Sequence, residues 1–330
     1  MTKDNRPFPS LEEIKRAAEI IRSGGLVSFP TETVYGLGAD ALNPVSVARI
    51  FDVKNRPLFD PLIVHVASLS SIIELTEGLE TRAEKLIKRF MPGPLTLVLP
   101  KSKIVPDIVT SGLPTVAVRM PDHKVALELI HQAGVPIAAP SANPFGYLSP
   151  TTACHVKEQL EEKIDMLLDG GRCILGVEST IIKLDGQEPL LLRYGGLPVE
   201  EIKDVIGQIC IPELQDDKPE SPGHLPYHYS PHTSMKFIED IKDEDIDGKK
   251  AGLLAFEAPR NDNDISFESI EVLSKKGDLI EAAANLFSAL HRLDSLGLDI
   301  IIAETFPLVG LGRAIMDRLQ KAVNNRITVK

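Results

Sequence analysis

Lys54 and Arg56, in the stretch KNRP, are the residues of this chain best suited to holding phosphate. Arginine offers a planar fork and lysine a point charge, and two cations on a proline-stiffened loop suit a polyphosphate. Arg119 stands in TVAVRMPDH (115–123), an otherwise apolar run, so if buried it needs a carboxylate or phosphate beside it. Arg193 lies in LRYGG (192–196), next to glycines that allow close backbone approach. Small hydroxyls and amides gather in three further places: Thr31 and Thr33 in PTETVYGLG (30–38), Ser141, Asn143 and Ser149 in APSANPFGYLSPT (139–151), and Ser179 and Thr180 in GVESTIIKL (176–184). None of these is a P-loop or a GxGxxG fingerprint. Each has a plain counterpart: a solvated KxR, an edge-strand arginine in water, an ordinary polar loop. His65, inside the apolar run LIVHV, is more often a core histidine than a ligand. His224, His228 and His232 are spaced by four, which on a helix would align them for a metal. Pro222, Pro226 and Pro231 forbid that helix, so no protein metal site is expected.

Positioning such groups takes a sheet whose strand ends converge, because ligands of open α/β sheets bind there. Short apolar runs alternate with helical patterns through the first two thirds of the chain. LVSFP (26–30), LIVHV (62–66), LTLVL (95–99), TVAVRM (115–120), PIAAP (136–140), DMLLD (165–169), STIIKL (179–184) and LLRY (191–194) read as strands. Helices are expected from Ser10 to about Arg22 and near 44–52, 79–90, 123–133 and 151–163. Strands so many and so close argue a mixed sheet rather than a simple βαβ repeat. PTETVYGLG reads as a ligand-facing loop after the first strand. Farther on, AGLLAFE (251–257), IEVLS (270–274) and DIIIAE (299–304) read as strands, with helices over 279–297 and 311–325, a pattern for a small parallel α/β domain. Between the two parts, residues 211–234 carry Pro212, Pro219, Pro222, Pro226 and Pro231 and no apolar periodicity, which predicts an extended linker. The expected division is 1–210, a catalytic domain; 211–234, a linker; and 235–330, a small second domain. A strip this long with no core of its own must dangle or lie on something. Tyr227, His228, Tyr229 and His232 suit it to cover a ligand, so residues 221–232 are expected to close over the cavity as a lid.

The 330 residues are 43% hydrophobic and 25% charged, ample material for a buried core. The net charge of -11 excludes a whole-molecule basic footprint for nucleic acid. Cationic strand ends in so acidic a chain point to an anionic ligand instead. Cys154, Cys173 and Cys210 form no CxxC pair and no disulfide framework. The N-terminal stretch MTKDNRPFPSLEE lacks an apolar signal region and no run approaches a membrane span, so a cytoplasmic location is expected.

Taken in order, FPTETVYGLG, KNRP followed by PLIVH, PGPLTLVL, VAVRMPDH, APSANPFGYLSPT, GVESTII, SPGHLPYHYSP and GLGRAIMDRL resemble the YrdC-like family of threonylcarbamoyl-AMP synthases in its long two-domain form. The likeness covers nearly the whole chain; it is the succession of motifs that is specific, not any one. It implies a YrdC-like α/β domain, a twisted mixed sheet with a basic cavity, followed by a small Rossmann-like C-terminal domain. It implies a nucleotidyltransferase: L-threonine, bicarbonate or CO2, and ATP with Mg2+ would give threonylcarbamoyl-adenylate and pyrophosphate. The product would pass to a separate transferase that makes N6-threonylcarbamoyladenosine on tRNA. By motif, Thr33, His65, Arg119, Ser179 and the backbone around Ala139 would hold L-threonine. Lys54, Arg56, Asp60, Thr115, Ser141, Asn143, Ser149, Arg193 and Tyr229 would hold ATP, with Lys54 and Arg56 as the catalytic cations. Where many relatives have glycine this chain has Asn55, where they have asparagine it has Asp60, and their RPG is RYGG here. The alternative is an RNA-binding YrdC-like module without its own adenylate synthesis; weak RNA binding is also an expectation for the enzyme, and membrane binding is not.

Overall fold

The computed structural model describes residues 8–186, 188–212, 221, 228–258 and 266–324. Its first helix, Leu11–Arg22, begins where Ser10 and Glu13 cap one another: the Ser10 hydroxyl accepts from the Glu13 N–H, and the Glu13 carboxylate accepts from the Ser10 N–H. Ile14, Ala17, Ala18 and Ile21 are its buried face, set against the helix Lys124–Ala133.

Nine strands form the larger sheet: β1 (Val27–Phe29), β2 (Gly36–Asp40), β3 (Ile63–His65), β4 (Leu95–Pro100), β5 (Thr115–Arg119), β6 (Ile137–Ala138), β7 (Met166–Leu167), β8 (Thr180–Lys183) and β9 (Leu190–Arg193). They lie in the order β7-β1-β2-β6-β3-β5-β4-β8-β9, a mixed sheet as expected. β3 and β5 run parallel, as do β4 and β8, whereas β1–β2, β4–β5 and β8–β9 are antiparallel. Every apolar run expected to be a strand is one.

β2 is a correction. Its sequence, GLGAD, lies in and just past a stretch expected to be a loop, and it pairs with β1 from Phe29↔Gly36 to Val27↔Gly38. Glycine weakens a strand, but here a side chain would not fit: a Cβ on Gly38 would come within 2.7 Å of both the Phe29 ring and Ile137. Composition hid the strand because its neighbours supply the packing.

The smaller sheet holds β10 (Ser234–Phe237), β11 (Ala251–Ala255), β12 (Ser269–Val272) and β13 (Ile300–Ala303), all parallel, in the order β10-β13-β11-β12. β10 starts at the last residue of the expected linker. The helices Leu279–Asp294 and Gly312–Val323 follow the patterns read from the sequence, with shorter ends. The helices Leu69–Leu75, Asp107–Thr110, Val199–Ile206 and Asp243–Ile246 were not anticipated. Val199–Ile206 packs on the helix Thr81–Phe90 and so belongs to the larger sheet's side.

The two parts share a core. Val34, Leu148 and Val177 of the first join Tyr229, Leu286, Phe287 and Leu290 in one apolar cluster. The backbones approach closely: a Cβ on Gly176 would meet the Ala283 carbonyl oxygen at 2.5 Å. Thr151 and Ser288 hydroxyls bond across the seam at 2.9 Å, and Tyr147 donates to Asp294 at 2.6 Å. Asp294 also accepts from the His232 and Thr233 N–H groups, which anchors the far end of the linker. Among the described residues no helix is long and apolar enough to cross a membrane.

Candidate active site

His65 and Arg119 end two parallel neighbours, β3 and β5, and are register partners, so the topology puts them side by side. Both line a cavity shared with Thr31, Thr33, Ala139, Ser141 and Ser179, with Arg56 and Arg193, and with His228 and Tyr229. All five residues expected to hold threonine line it. Of those expected to hold ATP or act on it, Arg56, Ser141, Arg193 and Tyr229 line it directly.

The threonine group is held rigidly. Thr33 and Thr31 share a hydroxyl–hydroxyl bond at 2.8 Å, and Ser179 shares one with Thr96 at 2.7 Å. Burial, helped by Arg119, pushes His65 down to about 3, so its imidazole is neutral at ordinary pH; its Nδ1 has no hydrogen-bond partner. Arg119 donates through Nε to the Gly93 carbonyl and lies 2.7 Å from Glu32, an ion pair whose angle is poor for a hydrogen bond.

The cations expected to hold phosphate behave differently from one another. Arg56 donates to the carbonyls of Asp60 and Pro61 and pairs with the Asp60 carboxylate at 2.9 Å. Burial pushes the Arg56 guanidinium down from its ordinary value, and Asp60 opposes the push. Arg193 wraps Ser179, donating to its carbonyl at 2.9 and 3.1 Å and to its hydroxyl at 3.1 Å. Lys54 is almost fully buried behind the wall, with Nζ donating to the carbonyls of Ser141 (2.6 Å) and Asn143. Burial and the neighbouring Arg56 lower its pKa well below the ordinary value. In this arrangement Lys54 positions the 141–143 loop rather than facing the cavity, a departure from its expected catalytic place.

Asn143 donates to the Pro144 and Tyr147 carbonyls, and Ser149 donates to Glu178 at 2.5 Å; both brace the wall from behind. Thr115 begins the strand that Arg119 ends, on the same sheet face two pleats away, about 13 Å along at ~3.3 Å per residue. Only an extended ligand would span both.

Some contributors escaped the sequence reading. Glu178, in GVESTII, lines the cavity; Glu32, in PTET, neutralises Arg119; Arg318, in GLGRAIMDRL, reaches Glu178 from the second part of the chain. Their motifs were visible, but nothing in sequence said which charge each would meet. Tyr227, His224 and the rest of residues 222–227 lie outside the described residues. Ser221 and residues 228–230 are buried.

Comparison with known proteins decides the family. Residues 19–195 match a family profile described as "Telomere recombination", which spans the YrdC-like proteins, and residues 197–323 match one described as "Threonylcarbamoyl-AMP synthase, C-terminal domain". The threonylcarbamoyl-AMP synthase of Pyrococcus abyssi is 46% identical over 96% of this chain and 95% of its own length. That of Bacillus subtilis is 42% identical over 96% and 94%. This chain belongs to the threonylcarbamoyl-AMP synthase family. A crystal structure of P. abyssi Sua5 with L-threonine superposes with a TM-score of 0.89 at 45% identity, covering 96% of each chain. The Escherichia coli YciO structure matches 57% of this chain and 91% of its own at a TM-score of 0.51 and 26% identity.

Within the synthase fold, the departures from the motif pattern have physical reasons. Asn55 caps the helix Pro44–Lys54 in the left-handed region, φ 53°, where glycine is favoured and asparagine is the best substitute. Asp60 pairs with Arg56, so its charge is offset before any phosphate arrives. In RYGG, a Cβ on Gly195 would sit 2.3 Å from the Ser179 carbonyl carbon and 2.4 Å from the Glu178 oxygen. That glycine lets the 194–196 loop lie directly on the Glu178–Ser179 backbone that leads into β8.

Proposed function

We propose that this chain forms L-threonylcarbamoyl-adenylate and pyrophosphate from L-threonine, bicarbonate or CO2, and ATP. The observation that carries the reading is the set Thr33, His65, Arg119, Ala139 and Ser179 around one cavity, in a chain so similar to curated synthases over its full length. Arg119 would take the amino-acid carboxylate, sharing its charge with Glu32. The Thr33 and Ser179 hydroxyls would read the threonine hydroxyl. Arg56 and Arg193 would face the phosphates, Ser141 and Tyr229 the rest of the nucleotide, with Asn143, Ser149 and Lys54 holding that wall in shape and Thr115 meeting the far end of the ligand. Carbamate formation and attack on the α-phosphorus both bring anions together, so positioned cations are the main catalytic device.

Mg2+ is proposed to enter with ATP. Among the described residues no group of three or more His, Cys, Asp or Glu could hold a metal unaided. Asp60, buried and ion-paired with Arg56 at 2.9 Å but with neither carboxylate oxygen in a well-angled hydrogen bond, would offer an oxygen to a metal that takes its other ligands from phosphate and water. Such an ion would offset phosphate charge. The product would pass to a separate transferase acting on tRNA, in the cytoplasm. An RNA-binding module without synthesis is disfavoured by the burial of Arg56, Arg119 and Arg193, which leaves them unable to meet a duplex backbone. Pyrophosphate release from ATP and bicarbonate, measured with and without L-threonine, tests the reading: strict dependence on threonine supports it, and its absence overturns it.

A further inference from the structure

Arg318 belongs to the helix Gly312–Val323, in the second part of the chain, yet it is the bulkiest fully buried side chain among the described residues. Its guanidinium reaches the seam between the two parts. Nε and Nη2 donate to Glu178 Oε2 at 3.0 and 2.9 Å, across 140 residues of sequence. Nη1 donates to the Tyr194 carbonyl at 2.6 Å and to Asp317 at 2.7 Å. The face of the group lies over Tyr229, 5.1 Å from the ring centroid.

Three of these four partners lead one step onward to a residue assigned above to the nucleotide, and the fourth, Asp317, pairs with Lys321 on the same helix. Glu178 Oε1 accepts from Ser149, Tyr194 follows Arg193, and Tyr229 is touched directly. No hydrogen bond or ion pair among the described residues joins Arg318 directly to Thr33, His65, Arg119, Ala139 or Ser179; of these only Ser179 is one step away, as the chain neighbour of Glu178 and the acceptor of Arg193. Resting on the proposed synthase reading, we propose that Arg318 is a positioning residue for the nucleotide half of the site, through which the second domain completes a cavity built in the first.

The chemistry asks for arginine. Only a planar guanidinium can grip a carboxylate edge-on, reach a backbone carbonyl with its other edge and stack its face on an aromatic ring. Burial alone would raise the Glu178 pKa, but Arg318, Arg193 and Ser149 together hold it below its ordinary value. Glu178 thus stays an ionised acceptor for the Ser149 hydroxyl. Without Arg318 its charge would be buried with less compensation, Ser149 would lose its fixed partner, and the Tyr229 ring would lose its support.

A plain interdomain staple would have the same contacts, so the test must separate stability from ligand preference. Calorimetric titration of the full-length protein with ATP, and separately with L-threonine, does so. In Arg318→Lys and Arg318→Met the Kd for ATP should rise at least about tenfold while that for threonine stays within about twofold. Arg318→Met/Glu178→Gln removes the stranded carboxylate and so guards against a variant that fails to fold. Because both residues act along one chain of contacts, this double variant should bind ATP no more weakly than Arg318→Met alone. Unchanged ATP binding in the folded double variant, or equal losses for ATP and threonine, overturns the inference while leaving the synthase reading intact. A wild-type protein that binds neither ligand overturns both.

Discussion

Arg119 meets a carboxylate before any substrate does. Its buried pairing with Glu32 keeps the guanidinium in place, and leaves a charge stranded if either partner is removed. Arg119→Gln is therefore expected to lose about 3–5 kcal/mol of stability, read as a lower denaturant midpoint, and to raise the KM for threonine. Arg119→Gln/Glu32→Gln should recover much of the stability but not the KM; recovery of both would remove Arg119 from the threonine site. Of the two cations in KNRP it is Arg56 that lines the cavity, so Arg56→Ala should cost adenylate formation roughly 10²–10³-fold in kcat. A wild-type rate in that variant would end its assignment to the phosphates. At the same scale, a pocket lined by the Thr33 and Ser179 hydroxyls should reject valine by orders of magnitude, since its polar groups would be left unpaired, and serine by about 10- to 200-fold for the missing methyl. Initial rates with the three amino acids measure both ratios, and comparable rates with valine and threonine would exclude a hydroxyl-reading pocket.

The elements deliver these residues by two backbone devices. Asn55 stops the helix Pro44–Lys54 in a left-handed turn that aims Lys54 at the 141–143 carbonyls and Arg56 at the cavity. Asn55→Gly should be nearly neutral, and Asn55→Ala should cost about 1–2 kcal/mol in chemical denaturation. Gly195 carries more. Its place against the Ser179 and Glu178 backbone leaves no room for a methyl, so Gly195→Ala must push that segment, which leads into β8, away from Arg193. Destabilisation of about 1–3 kcal/mol is expected, with a larger fall in adenylate formation than stability alone explains. Full activity at temperatures where the variant is folded would show that the close approach is not needed.

At the scale of the molecule, buried neutral histidines set the acid limit. An imidazole in the unfolded chain takes a proton near pH 6.5, whereas burial, with Arg119 nearby, holds His65 unprotonated down to about 3. His155, half-buried at the seam against His291, is likewise pushed down to about 3 by burial and by His291. Between those values the unfolded state carries the extra protons, so stability falls as pH drops through the window, by up to ~1.4 kcal/mol per pH unit for each group that stays fully neutral. Urea midpoints measured from pH 7 to pH 4 should fall steadily. His155→Gln should flatten the slope by as much as one proton while leaving the larger sheet's site untouched; an unchanged slope would show that His155 does not contribute.

Much of this was written along the chain. The strand runs are apolar and β-branched, the first helix carries its own capping pair, and the motif order specifies the family, so these follow from local composition and spacing. The residues expected on the threonine side come together in one cavity because each lies at a strand end or in the loop beside one, where a fold of this type gathers its ligand contacts. Other features depend on partners that only folding supplies. β2 is a strand because Phe29 and Ile137 fill the space its glycines leave, although glycine has no strand preference of its own. Lys54 turns into the wall and Arg56 toward the cavity, a choice made by the left-handed turn at Asn55 and by the carbonyls waiting behind it. Glu32 meets Arg119 and Glu178 meets Arg318 because separate strands and a helix of the second domain converge there. A charge in sequence has no partner until the sheet order is set, and the energy of burying it is decided by that partner alone.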